Sequence, residues 1–177
     1  MMYSSCKNKK YRHNVGICLF NSQGLVLVAE RRDWTDSWQM PQGGVKNGED
    51  SEIAVFREMK EEIGTDNARI ISRIPGFLCY DFPEPMQYLG QQQEWFALLF
   101  LGEDTDIKVM DEYTENTSEF INWRWVTLQE TVDLIIPFKR EVYMMVRDSF
   151  ASISEALSRG EACNNPRLEI LTAGYRP

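Results

Sequence analysis

The spacing of hydrophobic and polar positions along the chain switches between a strand period and a helix period. Positions 14–20 (NVGICLF) are nearly all apolar, as in a strand covered on both faces. A turn, NSQG, separates them from a second strand over 25–29. From residue 49 the pattern becomes helical and stops at Gly64. At 100° per residue it puts Ile53, Phe56, Met59 and Ile63 on a side to be buried, and Glu58, Glu61 and Glu62 on the other. Strands are expected over 68–74, 77–82, 94–101 (EWFALLFL) and 120–126 (FINWRWV), with a loop forced at 83–85 (PEP). Residues 103–119 hold seven acids and read as a solvated loop. Thr127 caps a short helix over 128–135. Pro137 opens a last helix, with Phe138, Val142, Met145, Val146, Phe150, Ile153 and Leu157 on its buried stripe. Interleaved strands and helices predict an α/β (α+β) layered domain over 11–158, between a loose segment 1–10 and a tail 159–177.

The helix after residue 49 carries the candidate chemistry. A Gly43-Gly44 bend leads into it, and Glu61 and Glu62 follow Glu58 by three and four positions, so the three carboxylates are expected to converge on one point. Like charges at that spacing repel, and a cation would relieve them. All-oxygen ligands favour Mg²⁺ first and Mn²⁺ next. A solvated acidic helix face is the plainer alternative. Glu49 and Arg57 at fixed offsets shift the balance towards a site. Arg57 is expected to orient a carboxylate, with Glu49 as the candidate, rather than to bind phosphate.

Charge and composition narrow the partners. The 177 residues fit one domain with a sizeable core, and the net charge is -8. An acidic chain disfavours binding of extended duplex nucleic acid, whereas a short polyphosphate held through metal ions is compatible. A single histidine, His13, excludes most triads and multi-histidine metal sites. Apolar runs fall short of the ~20 residues that cross a membrane, and the basic start lacks the apolar stretch of a signal peptide. A cytoplasmic protein with no membrane partner is therefore expected, its four scattered cysteines reduced. Nothing in the pattern fixes an oligomeric state.

The stretch Gly43, Glu49, Arg57, Glu58, Met59, Glu61, Glu62, Gly64 resembles the signature of the Nudix hydrolases, departing from it at Thr65, where an aliphatic residue is usual. Five further blocks resemble one branch, the RNA pyrophosphohydrolases and dinucleoside polyphosphate (Ap4A) hydrolases. They are YRHNVG from 11, WQMPQGG from 38, GQQQEWF from 90, WRWV from 123 and PFKREVY from 137. The resemblance implies a mixed β-sheet sandwiched between helices. It implies a divalent-metal-dependent pyrophosphohydrolase in which water attacks phosphorus, acting on RNA 5′-triphosphate ends or on Ap4A. Glu58 and Glu62 would be ligands; Glu61 would be a ligand or orient the water; Glu119 would be a ligand or general base. Gly43 would either offer its carbonyl to the metal or merely permit the bend. Arg12 and Lys139 would contact phosphates and Phe138 would stack on a base, as Tyr80 would unless it packs in the core. Glu94 stands where the branch commonly has a basic residue. A housecleaning nucleoside triphosphatase or nucleotide-sugar hydrolase is the enzymatic alternative, and a nucleotide-sensing domain the non-enzymatic one.

Overall fold

The computed structural model describes residues 10–34, 36–84, 87–109 and 118–161. Eight strands form one mixed sheet: β1 (Tyr11–Phe20), β2 (Val26–Arg31), β3 (Trp38–Gln39), β4 (Gln42–Gly44), β5 (Ala68–Arg73), β6 (Leu78–Asp81), β7 (Gly90–Phe100) and β8 (Phe120–Val126). Three helices cover it: α1 (Ser51–Ile63), α2 (Leu128–Leu134) and α3 (Arg140–Ser158). The main path runs β3-β2-β1-β7-β5, with β4 beside β1, β6 beside β7 and β8 beside β2. At its centre β1 and β7 run parallel over their whole length, Tyr11 opposite Gly90 through Phe20 opposite Leu99.

The period of two sorts the side chains of these strands between two cores. Val15, Ile17 and Leu19 of β1 join Phe96 and Leu98 of β7 against α1, where Ala54, Val55, Met59 and Ile63 meet them. Cys18 and Phe20 join Trp95, Ala97 and Leu99 on the other face, under Val142, Tyr143, Val146 and Phe150 of α3. The sheet is thus sandwiched between helices, as expected. No helix among the described residues is long and apolar enough to cross a membrane.

Local chemistry explains the helix ends. The Asp50 side chain accepts from the Glu52 N–H at the start of α1, and Gly64 closes it in the left-handed conformation at φ 78°. Thr127 and Glu130 form a reciprocal cap on α2. Pro137–Lys139 form a 3-10 turn before α3.

Two expectations change. Ile53 is exposed, because the buried stripe of α1 is Val55–Met59–Ile63, and Ile53 lies about 160° around the helix from Val55. Gly43 and Gly44 are not a bend: both lie in β4, antiparallel to β1, with Gly43 opposite Val15. Cys18 is a free buried thiol, as expected of it. Part of the acidic stretch, 110–117, lies outside the described residues.

Candidate active site

Arg57 and Glu49 organise the entrance to α1. The guanidinium donates from Nε and Nη2 to the two Glu49 oxygens, both at 2.7 Å, and from Nη2 to the Gly44 carbonyl at 2.9 Å. Its Nη1 donates to Glu58 at 2.6 Å and to Glu61 at 3.2 Å. One arginine thus ties the loop, β4 and the acidic helix face together in the bidentate geometry that suits a guanidinium. The Glu49 carboxyl is drawn down to about 2, chiefly by the Arg57 hydrogen bonds and then by the Lys46 N–H.

The sign of that shift gives a test. A carboxylate held below its usual 4.5 stabilises the fold fully above that pH, and the contribution is lost as pH falls towards 2. We expect the melting temperature of the Glu49→Gln protein to fall less steeply than that of the parent between those limits. Parallel curves would show that Glu49 is not bound this way.

The two glycines of β4 make room for side chains. A Cβ on Gly43 would sit 1.8 Å from Glu58 Cδ, and one on Gly44 would sit 2.3 Å from Arg12 Nη2. Glycine here serves close approach, with the Glu58 carboxylate and the Arg12 guanidinium each laid against bare backbone.

These groups line an open cleft of about 270 Å³. Glu58 and Glu62 enter it from α1, Glu119 from just before β8, Arg12 from β1, Arg31 from the end of β2, and Lys139 and Phe138 from the turn before α3. Tyr80, Phe82, Gln42, Gly43, Asn14 and Gln91 complete the wall. Glu119 is held in place by its backbone, whose carbonyl accepts from the Arg32 N–H at 2.9 Å. Tyr80 is buried, donates to Gln91 Oε1 at 2.6 Å and packs 5.8 Å from the Phe138 ring.

Glu61 does not line the cleft. Its carboxylate is half exposed, towards Arg57 and Lys46 at the rim. Helix geometry gives the reason: Glu58 and Glu62 are about 40° apart on the flank beside the sheet, and Glu61 lies some 60° beyond Glu58 on the solvent side. The three-way convergence expected from spacing is therefore a pair from α1 joined by Glu119 from a distant strand. Arg31 was missed. Its side chain donates to Asp33 at 2.8 and 2.6 Å, and no motif marks it.

Burial pushes the Glu62 carboxyl well up, with Glu119 and Glu58 adding to the effect, while the Gln42 N–H at 3.0 Å works against it. Burial raises Glu58 as well, opposed by Arg57. Burial, then Arg31, pulls the Lys139 ammonium down to about 8.

Among the described residues no three His, Cys, Asp or Glu side chains are grouped so that they could hold a metal ion. A smaller protein donor set, completed by water and substrate, is the chemistry that two carboxylates can offer. Mg²⁺ binds through one or two carboxylates, keeps waters and takes substrate phosphate oxygens. Glu58 and Glu62, whose charged forms burial disfavours, are the pair that could supply those carboxylates.

A helix–sheet–helix domain here gathers three carboxylates and three basic side chains in one cleft, an arrangement suited to an anionic ligand. The family model of the NUDIX domain matches residues 10–146. An RNA pyrophosphohydrolase of Rhodospirillum rubrum is 48% identical over 143 residues, 77% of this chain and 84% of the relative. One of Wolbachia pipientis subsp. Culex pipiens is 43% identical over 154 residues, 83% of this chain and 93% of the relative. The fold matches a solved Ap4A hydrolase of C. elegans with a TM-score of 0.59 at 17% identity, covering 80% of this chain and 98% of that one. The chain belongs to the Nudix family, as a hydrolase acting on phosphoanhydride bonds.

Proposed function

We propose that the protein is a pyrophosphohydrolase that removes pyrophosphate from RNA 5′-triphosphate ends, with dinucleoside polyphosphates such as Ap4A as a second substrate. The observation that carries this reading is the shared cleft of Glu58 and Glu62 with Arg12, Arg31, Lys139 and Phe138. A run of phosphates needs several separate positive charges, and a terminal nucleoside needs an aromatic face. The relatives named RNA pyrophosphohydrolase, at 48% and 43% identity, support the same substrate.

In this reading Glu58 and Glu62 would hold Mg²⁺, or Mn²⁺, with Glu119 and the Gly43 carbonyl as further ligands, and the ion would supply charge neutralisation and activation of water. Arg57 keeps the Glu58 carboxylate in place. Glu119 or Glu61 orients the attacking water and takes its proton, and of the two only Glu119 lines the cleft. Arg12, Arg31 and Lys139 bind phosphate oxygens. Phe138, braced by Tyr80, stacks on the first base. Phosphoryl transfer asks mainly for positioning and charge stabilisation, which this set provides. The catalytic domain takes in residues 11–158. An RNA substrate implies the cytoplasm.

A substrate panel tests the proposal. Triphosphorylated RNA should give the highest kcat/KM, with pyrophosphate released, and Ap4A should come next. Free deoxynucleotides or ADP-ribose as the best substrate would replace this reading with the housecleaning alternative.

A further inference from the structure

Lys139 is only 3% exposed, an unusual situation for an ammonium. Its Nζ donates to Gln39 Oε1 at 3.1 Å and to Gln42 Oε1 at 3.3 Å, and lies 5.4 Å from the centre of the Tyr80 ring. Both hydrogen-bond partners are neutral amides. A carboxylate in either place would cancel the charge, whereas an amide oxygen fixes its position and leaves it available to an anion. The arrangement has a cost. Gln39 is fully buried, and its Nε2 finds no protein partner among the described residues, because its oxygen faces the lysine.

Gln42 is held from several sides. Its Oε1 also accepts from Gln93 Nε2 at 3.2 Å, and the same Nε2 donates to Asn14 at 2.7 Å. Its own Nε2 approaches Gln91 Oε1 at 3.4 Å. Its backbone pairs with Gly16 of β1, and its N–H donates to Glu62 Oε2 at 3.0 Å. One residue therefore grips a carboxylate with its backbone and an ammonium with its side chain.

We propose that Gln42 is a positioning residue that sets the distance between the carboxylate pair and the Lys139 phosphate contact. A phosphate chain that reaches both then finds them already spaced. The proposal rests on the reading of Lys139 as a phosphate binder and deepens it. Gln42→Met keeps the side-chain length and removes the amide. Gln42→Glu keeps the acceptor and neutralises the lysine.

The test is a double-mutant cycle of Gln42→Met with Lys139→Met, read as KM and kcat on a 5′-triphosphorylated RNA oligonucleotide. The Kd of a methylene-bridged dinucleoside tetraphosphate is measured in parallel, with circular dichroism checking the fold. Gln42→Met should raise KM and Kd about tenfold and move kcat much less, as expected for one lost hydrogen bond to a charged group. In the Lys139→Met background the same change should add no more than about twofold, because coupled residues are not additive. Gln42→Glu should also raise KM. Equal penalties in both backgrounds, or a Gln42→Glu protein that behaves like the parent, would show that Gln42 acts only as packing and overturn the proposal. If Lys139→Met alone leaves KM and Kd unchanged, the phosphate-binding reading of Lys139 fails, and this inference with it.

Discussion

Replacing Glu62 by Gln should lower kcat about 10²-fold or more, a loss of roughly 2.7 kcal/mol of transition-state stabilisation. The cause is specific. Glu62 lies in the cleft with Glu58 and Glu119, accepts a backbone N–H from Gln42, and has its charged form disfavoured by burial. Gln keeps the volume and can still accept from that N–H, so the fold should survive. What disappears is the negative charge that a divalent cation needs. Glu61→Gln, at the rim, should cost less. A non-enzymatic nucleotide sensor predicts that the Glu62→Gln protein still performs its task. A steady-state comparison of the two variants on triphosphorylated RNA separates these outcomes.

Gly43→Ala should be nearly as damaging, from a single methyl group. An added Cβ would meet Glu58 Cδ at 1.8 Å and Oε2 at 1.9 Å, well inside any tolerable contact. The carboxylate must rotate away or β4 must separate from β1, and either change removes Glu58 from the cleft. A loss of activity of about 10²-fold is expected, with overpacking lowering stability by roughly 1–3 kcal/mol. Gly48→Ala is the control for glycine loss as such, since a Cβ there meets nothing within 4 Å, although its φ of +78° adds backbone strain. If Gly43→Ala is as active as the parent, the Glu58 carboxylate does not work in the position described.

Where local pattern decides, the sequence was readable. The cores of the two central strands and α1 with its Gly64 stop follow from period and stop chemistry, whereas the Asp50 cap and the polar first residues of both strands, 11–13 and 90–93, went unread. The box of glutamates, arginine and glycines marked a helix whose acids do reach the cleft. What spacing could not show was which of three adjacent acids the sheet would turn inwards. That depends on the register of α1 over β1 and β7, and it left Glu61 outside. The same limit applies to Ile53, which the 100° wheel assigned to the wrong side because the stripe was drawn from large residues and passed over Ala54 and Val55. β3 and β4 are too short to carry a period of their own. Arg31 reaches the cleft only because β2 and β8 pair, a contact between residues about 90 positions apart in the chain. Lys139 reads as an ordinary surface lysine until tertiary packing buries it.

The central claim is that the α1 carboxylates facing the cleft take up a divalent ion. Mn²⁺ titration followed by electron paramagnetic resonance tests this without relying on turnover. The parent protein should bind Mn²⁺, with Mg²⁺ competing for it, and both Glu58→Gln and Glu62→Gln should weaken that binding by an order of magnitude or more. Unchanged Mn²⁺ stoichiometry and affinity in both variants would contradict the account.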